Sequence, residues 1–199
     1  MITIIDYGLG NLTSVKGALD KLNISSQISS DISEIEKADA LILPGVGAAG
    51  EGMKNLKDRK LVDLIIQEVK AGKPFLGICL GMQLMLGANE EGNIDGLNII
   101  NGTVKKFESD LKIPQIGWNQ VATKPSRLFQ EIKEDSYFYF VHSYYCQPEG
   151  NSVTVGTTEY GLQFCSAIEN GNIFGVQFHP EKSGDTGLQV LKNFYSTIV

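Results

Sequence analysis

Over residues 1–86 short apolar runs alternate with helix-spaced segments, and this alternation limits the possible folds more than any other feature. Met1 to Asp6 form a β-branched strand, Tyr7-Gly-Leu-Gly-Asn11 breaks it, and Leu12, Val15, Leu19 and Leu22 then keep the spacing of one helix face. Ala40-Leu-Ile-Leu-Pro44 is a second buried strand and ends in Gly45-Val-Gly-Ala-Ala-Gly50. Leu61, Leu64, Ile65 and Val69 share a face of a further helix, which Ala71-Gly-Lys-Pro74 stops. Such alternation requires a parallel sheet with helices on both faces, and sheets of that kind gather ligand chemistry at the C-terminal ends of their strands.

The strand that follows carries a candidate nucleophile. Pro74 to Ile78 are apolar, Cys79 closes the run, and Leu80 to Leu86 continue in a helix-compatible pattern. Gly77 and Gly81 stand two residues either side of the cysteine. Gly-x-Cys-x-Gly is the thiol counterpart of the Gly-x-Ser-x-Gly elbow, in which small neighbours let a strand turn sharply into a helix and leave the middle side chain projecting. Free amides and the positive dipole end at a helix N-terminus favour thiolate over thiol. A lone cysteine between apolar neighbours is ordinarily an inert core residue. The flanking glycines and the strand-to-helix switch set Cys79 apart from that default.

Beyond Leu86 the texture changes. A polar loop is expected over 87–96, then strand-like segments at 97–107, 113–122, 137–145, 153–158, 162–168 and 173–178. Only 126–132 and 184–198 look helical. With no repeat, low-complexity stretch or linker, residues 1–199 read as one α/β domain with an added antiparallel portion. The glycine loop after the first strand invites a dinucleotide-binding reading, but the third glycine of Gly-x-Gly-x-x-Gly is replaced by Thr13.

Composition excludes several partners. The net charge of −6, from 17 Lys+Arg against 23 Asp+Glu, argues against nucleic acid or an anionic membrane surface as the main ligand. The N-terminal Met-Ile-Thr-Ile-Ile-Asp lacks a basic region and reads as a strand, not a signal peptide. No apolar run reaches the roughly 20 residues needed to cross a bilayer. Three widely spaced cysteines, with no Cys-x-x-Cys, point to free thiols in a reducing, cytoplasmic setting, and neither metal nor cofactor is expected.

A cysteine nucleophile needs a base, and the chain has two histidines. His179 is followed by Pro180 and Glu181; in extended geometry residues two apart point the same way, so Glu181 can fix the imidazole. Nucleophile, base and orienting acid then arrive in the order Cys, His, Glu. His142, inside Phe138-Tyr-Phe-Val-His-Ser-Tyr-Tyr145, has no neighbouring carboxylate and reads as structural. Acyl transfer also needs oxyanion donors: the Leu80 amide is one candidate, and an amide of Val46 or Gly47 in the Gly45–Gly47 loop is the other.

Gly77-Ile-Cys-Leu-Gly-Met-Gln83 together with His179-Pro-Glu181 resembles the class I, triad-type glutamine amidotransferases. Ile5-Asp-Tyr-Gly-Leu-Gly-Asn-Leu12, Leu43-Pro-Gly-Val-Gly-Ala48, Ile116-Gly-Trp-Asn119, Phe138 to Tyr145 and Gln177-Phe-His-Pro-Glu-Lys-Ser-Gly184 narrow the likeness to the glutaminase subunits of histidine biosynthesis, over essentially the whole chain. Gln115, before Ile-Gly-Trp, departs from the histidine of many such relatives. The resemblance implies a flavodoxin-like three-layer α/β fold, with a central, mostly parallel sheet and an antiparallel portion.

By the same resemblance Cys79 attacks the side-chain amide of L-glutamine to form a γ-glutamyl thioester, while His179 shuttles protons and Glu181 orients it. Gln83 implies a substrate contact, Glu91 a partner for the α-amino group, and Gly47 with the backbone around Ser143 and Tyr144 the rest of the glutamine site. Ammonia is mostly protonated in neutral water, so a glutaminase serves synthesis only by direct delivery. The implied partner is a TIM-barrel cyclase that forms imidazole glycerol phosphate and a carboxamide ribonucleotide, with Asn11, Trp118 and Tyr139 as candidate interface residues. Gly-Trp-Asn reads as a turn, which would leave Trp118 exposed. Two alternatives are a glutaminase of pyridoxal phosphate or anthranilate synthesis and a catalytically silent regulatory subunit. Tyr7 to Asn11 and Pro44 to Gly47 weigh against the first, and the intact triad weighs against the second.

Overall fold

The computed structural model describes residues 1–108 and 110–198. Its first half runs β1 (Ile2–Ile5), α1 (Leu12–Lys21), β2 (Ser26–Ser29), α2 (Ile32–Lys37), β3 (Ala40–Gly45), α3 (Ala49–Asp58), α4 (Leu61–Lys70), β4 (Phe75–Cys79) and α5 (Leu80–Leu84). The second half supplies β5 (Leu86–Asn89), β6 (Ile94–Asp95), β7 (Ile100–Lys106), β8 (Gln115–Thr123), β9 (Ser136–His142), β10 (Tyr144–Pro148), β11 (Thr154–Glu159), β12 (Gln163–Asn170) and β13 (Ile173–Val176). A 3-10 turn over Pro180–Lys182 leads into α6 (Gly184–Tyr195).

The strands order as β2-β1-β3-β4-β13-β12-β10-β7-β5-β6. The first five are mutually parallel, and β13 then opens an antiparallel extension through β12, β10 and β7. A ribbon of β9, β8 and β11 branches from β12. Successive strand residues feed opposite cores, as a two-residue period demands. Ile2, Ile4, Ala40, Ile42, Leu76 and Ile78 pack with α1 and α6, while Ile5, Leu41, Leu43 and Phe75 pack with α2, α3 and α4. This gives three layers. Among the described residues, no helix is long and apolar enough to cross a membrane.

Several expectations change. Residues 126–132 form turns rather than a helix: Pro125 precedes them, Glu131 sits at φ +61°, and the Leu128 amide donates to the Glu169 carboxylate instead of a helical carbonyl. The strand expected over 137–145 breaks at Ser143, because β9 pairs with β8 whereas β10 pairs with β12 and β7. The polar loop at 87–96 contains the β5–β6 hairpin, and the helix after Cys79 stops at Leu84. Trp118 lies within β8 and not in a turn; it is exposed because β8 presents alternate residues outward. Helix α3 escapes the periodicity test because its start, Ala-Gly-Glu-Gly, has low helix propensity, yet Ala49, Met53 and Leu56 bury one face.

Two glycines allow the turn after β4. A Cβ at Gly81 would fall on the Leu43 carbonyl oxygen of β3, and one at Gly77 would lie 2.8 Å from the Gly81 backbone. Gly81→Ala is therefore expected to destabilise by about 3 kcal/mol or more, since rigid backbone must move. Gly50→Ala, with nothing within 4 Å, is expected to stay within about 1 kcal/mol of the parent. Thermal denaturation of the two variants side by side checks the contrast.

Candidate active site

Gly45 and Cys79 are register partners at the ends of β3 and β4, and Val176 of β13 pairs with Ile78. Three parallel strands thus finish together, and the segment after β13 carries Gln177 and His179 past the cysteine. Cys79 itself turns the chain at φ +54° and ψ −108°, a conformation that costs a non-glycine residue roughly 1–3 kcal/mol. Only a frame fixed on both sides holds it, and the Gly81–Leu43 approach is one of those sides.

Cys79 opens into a cleft of about 300 Å³. Val46, Gly47, Leu80, Gln83, Glu91, Ser143 and Tyr144 line that cleft with it, so the expected oxyanion and glutamine residues come together from four separate stretches. Gly47 adopts φ +103°, a backbone conformation open to glycine. Glu91 is no free loop acid: its carboxylate accepts from the Ala49 amide at the start of α3, at 2.8 Å, and its own amide donates to Asn89. A carboxylate has acceptor capacity beyond that one bond. Tyr144 lines the same cleft, and burial, Glu91 and Glu90 raise its phenol above the ordinary value.

His179 and Glu181 stand behind the cysteine, both side chains almost fully buried. The His179 Nδ1 lies 2.8 Å from Glu181 Oε1, a contact made through the 3-10 turn and not through extended alternation. The backbone is pinned as well: the His179 amide donates to Tyr139 of β9, and Ser183 Oγ donates to the His179 carbonyl at 2.6 Å. His179 Nε2 is buried without a formed hydrogen bond. Cys79 favours the charged ring, and a catalytic hydrogen bond can form only once substrate arrives. Burial opposes the charged imidazole, but the Cys79 sulfur and the Glu181 carboxylate outweigh it and lift His179 to about 10.

His142 has a different setting. Its Nδ1 is 2.7 Å from the Tyr144 carbonyl and its Nε2 is 2.9 Å from Gln115 Oε1. Burial pulls its pKa down to about 4, so the ring is neutral near pH 7 and carries one N–H. The Tyr144 carbonyl can only accept, which puts that proton on Nδ1; the unprotonated Nε2 is itself an acceptor and is paired with Gln115 only when the side-chain amide is turned over from the orientation that sets Oε1 against the ring. Gln115 is thus the side chain that faces His142 Nε2.

In the sequence Gln177 appears only as the first residue of the Gln177-to-Gly184 segment, two places before the His-Pro-Glu motif, with no role of its own. It is fully buried, its Nε2 lies 3.6 Å from the Cys79 sulfur, and its Oε1 accepts from Gln83 at 3.1 Å. Asn11, Trp118 and Tyr139 do not line the cleft. Asn11 is exposed at the start of α1 and makes no capping bond. Trp118 is the register partner of Tyr139, with ring centroids 6.2 Å apart, and Ile116 (60% exposed), Trp118 (56%) and Tyr137 (54%) extend an apolar surface along the ribbon. Lys182, next to Glu181, lies 5.9 Å from the centroid of the Tyr139 ring.

The chain matches the family Glutamine amidotransferase class-I over residues 3–198. It is 51% identical to the Imidazole glycerol phosphate synthase subunit HisH of Moorella thermoacetica, over 97% of this chain and 93% of that protein. It is 52% identical to the subunit of the same name from Chlorobaculum tepidum, over 98% of each. Among solved structures, a glutamine amidotransferase superposes with a TM-score of 0.79 at 16% identity, covering 100% of this chain and 99% of that one. PurLQS from Thermotoga maritima gives 0.76 at 18% identity, covering 100% and 98%. The last two establish the fold.

A buried neutral histidine makes stability pH-dependent. Unfolded His142 takes up a proton near 6.5, whereas the folded ring resists until about 4. Its contribution is therefore complete above pH 6.5 and is lost as pH falls to 4, amounting to about 3 kcal/mol over that window. Urea unfolding at several pH values should show this slope, and His142→Asn should flatten it.

Proposed function

The chain belongs to the class I glutamine amidotransferases and, among them, to the HisH subunits of imidazole glycerol phosphate synthase, and we propose that it performs the glutaminase step of that enzyme through Cys79, His179 and Glu181. It is the glutaminase subunit of a histidine-biosynthetic enzyme, and its partner is the cyclase subunit that receives the ammonia. The strongest support is one geometry: a cysteine on a strained strand end, open to a small cleft, with a buried histidine behind it held by a carboxylate at 2.8 Å.

In this proposal L-glutamine enters the cleft with its side-chain amide against Cys79. The thiolate attacks the amide carbon, and the carbonyl oxygen takes the negative charge. The Leu80 amide and an amide of Val46 or Gly47 receive that oxyanion. His179, charged at rest by its two acidic neighbours, gives its proton to the departing nitrogen, so ammonia leaves and the thioester remains. The neutral ring then draws a proton from water, which attacks the thioester and releases glutamate. Glu181 fixes the ring through Nδ1 and stabilises its charged form. Gln83, Glu91, Ser143 and Tyr144 hold the amino-acid end.

The apolar surface of the β8–β9 ribbon is proposed as the cyclase-facing side. Exposed aromatic residues at this density suit an interface, and Tyr139 ties the ribbon to the triad by accepting the His179 amide. Asn11, exposed at the start of α1, is proposed as a further cyclase contact. We further propose that residues 1–199 act as one amidotransferase domain and that its setting is the cytoplasm, in keeping with three free cysteines.

Cys79→Ala in the complex with the cyclase should lose glutamine-dependent turnover by at least about a thousandfold and keep turnover on added ammonium salt. Retained glutamine turnover would rule out the nucleophile. His142→Ala should be milder than His179→Ala in glutamate release, and equal losses would reassign the base. Trp118→Ala should weaken cyclase binding by about 2 kcal/mol, measured calorimetrically; an unchanged affinity would remove Trp118 from the interface.

A further inference from the structure

We propose that Gln177 is a positioning residue for the nucleophile: a buried donor, locked in one orientation by the Tyr144 carbonyl, that holds the Cys79 sulfur as an acceptor. This rests on Cys79 being the nucleophile and adds a residue to which the triad mechanism gives no part.

Amide side chains have two ends of nearly equal shape, so their direction must be argued from their partners. Here the Tyr144 backbone carbonyl settles it, because that oxygen can only accept. It lies 3.0 Å from Gln83 Nε2, which is therefore nitrogen and not oxygen. The second hydrogen of that NH₂ points to Gln177 at 3.1 Å, so Gln177 must present its oxygen there. Its nitrogen is then turned toward Cys79, 3.6 Å from the sulfur. Reversing either amide would oppose two oxygens or two NH₂ groups in a buried site. A hydrogen-bond direction thus runs from a fixed backbone carbonyl, through a residue of the glutamine cleft, to the sulfur.

The thiol and the thiolate use this surrounding differently. A thiol proton has an acceptor in the Val141 carbonyl, 3.9 Å from the sulfur. A thiolate has only acceptor character, and the Gln177 N–H is the uncharged donor built to meet it. His179 supplies charge from the other side. Gln177 therefore biases Cys79 toward the attacking form and fixes where the sulfur sits, while Gln83 couples that bias to the wall of the substrate cleft. Because Gln177 is fully buried and its backbone amide also donates to Ser166, its side chain has no freedom to serve elsewhere.

The test is the pH profile of Cys79 alkylation by iodoacetamide, with the labelled residue identified by peptide mapping. Gln177→Leu removes the donor, and the pH of half-maximal labelling should rise by about one unit, a tenfold loss of thiolate at a given pH. In the complex with the cyclase, glutamine kcat should fall at least about tenfold with KM changed less than threefold, and ammonia-dependent turnover should persist. Gln177→Glu keeps the shape and sets a carboxyl against the sulfur, so it should raise the midpoint too and stands in if the leucine variant does not fold. An unchanged or lowered labelling midpoint in a folded variant overturns the proposal, whatever the activity. Failure of the nucleophile assignment is separate: it would appear as glutamine-dependent turnover surviving Cys79→Ala.

Discussion

The backbone of α5 rests on the Leu43 carbonyl of β3 at Gly81, with no room for a side chain between them. The chain leaving β4 must therefore reverse within a single residue, and Cys79 takes that reversal at φ +54°. Its side chain sits at the edge of the core formed with α1 and α6 and lines the cleft as a consequence, beside the Gly45–Gly47 loop that ends the neighbouring strand. The parallel pairing of β13 on the other flank brings His179 in from behind. The placement of Cys79, His179 and the Gly45–Gly47 loop is thus a property of three strand ends and one close approach; removing either glycine of the elbow would shift the sulfur.

Polar geometry is fixed with similar economy. The Tyr144 carbonyl lies 2.7 Å from His142 Nδ1 and 3.0 Å from Gln83 Nε2, and as a pure acceptor it determines the direction of both. From it one path runs through His142 to Gln115 and the other through Gln83 and Gln177 to Cys79. The break in strand pairing at Ser143 is what makes this possible. A strand continuous from 137 to 145 would spend its carbonyls on ladder bonds, whereas the switch from β9 to β10 frees one to organise a buried network.

Much of this was legible in the sequence. Periodicity identified the parallel half and its helices, and the spacing of Gly77, Cys79 and Gly81 identified the elbow, because steric needs of that kind leave only glycine. The pairing of His179 with Glu181 was also readable, although a 3-10 turn and not an extended strand brings them together. What escaped was whatever depends on distant partners. Gln177 is one polar residue in an apolar run until tertiary pairing sets it beside Cys79, and no local pattern marks it. The helix expected near 126 and the turn expected at Trp118 failed for the same reason: Glu169 captured the amide of the first, and β9 paired with the second.

The central claim is that glutamine is opened by covalent attack from Cys79 and not by direct attack of water. Acid quenching of the complex during turnover on glutamine, followed by digestion and mass spectrometry, measures it directly. The account predicts a γ-glutamyl adduct on the peptide containing Cys79, present only during turnover. Steady glutamate release without that adduct, or an adduct confined to Cys146 or Cys165, would contradict it.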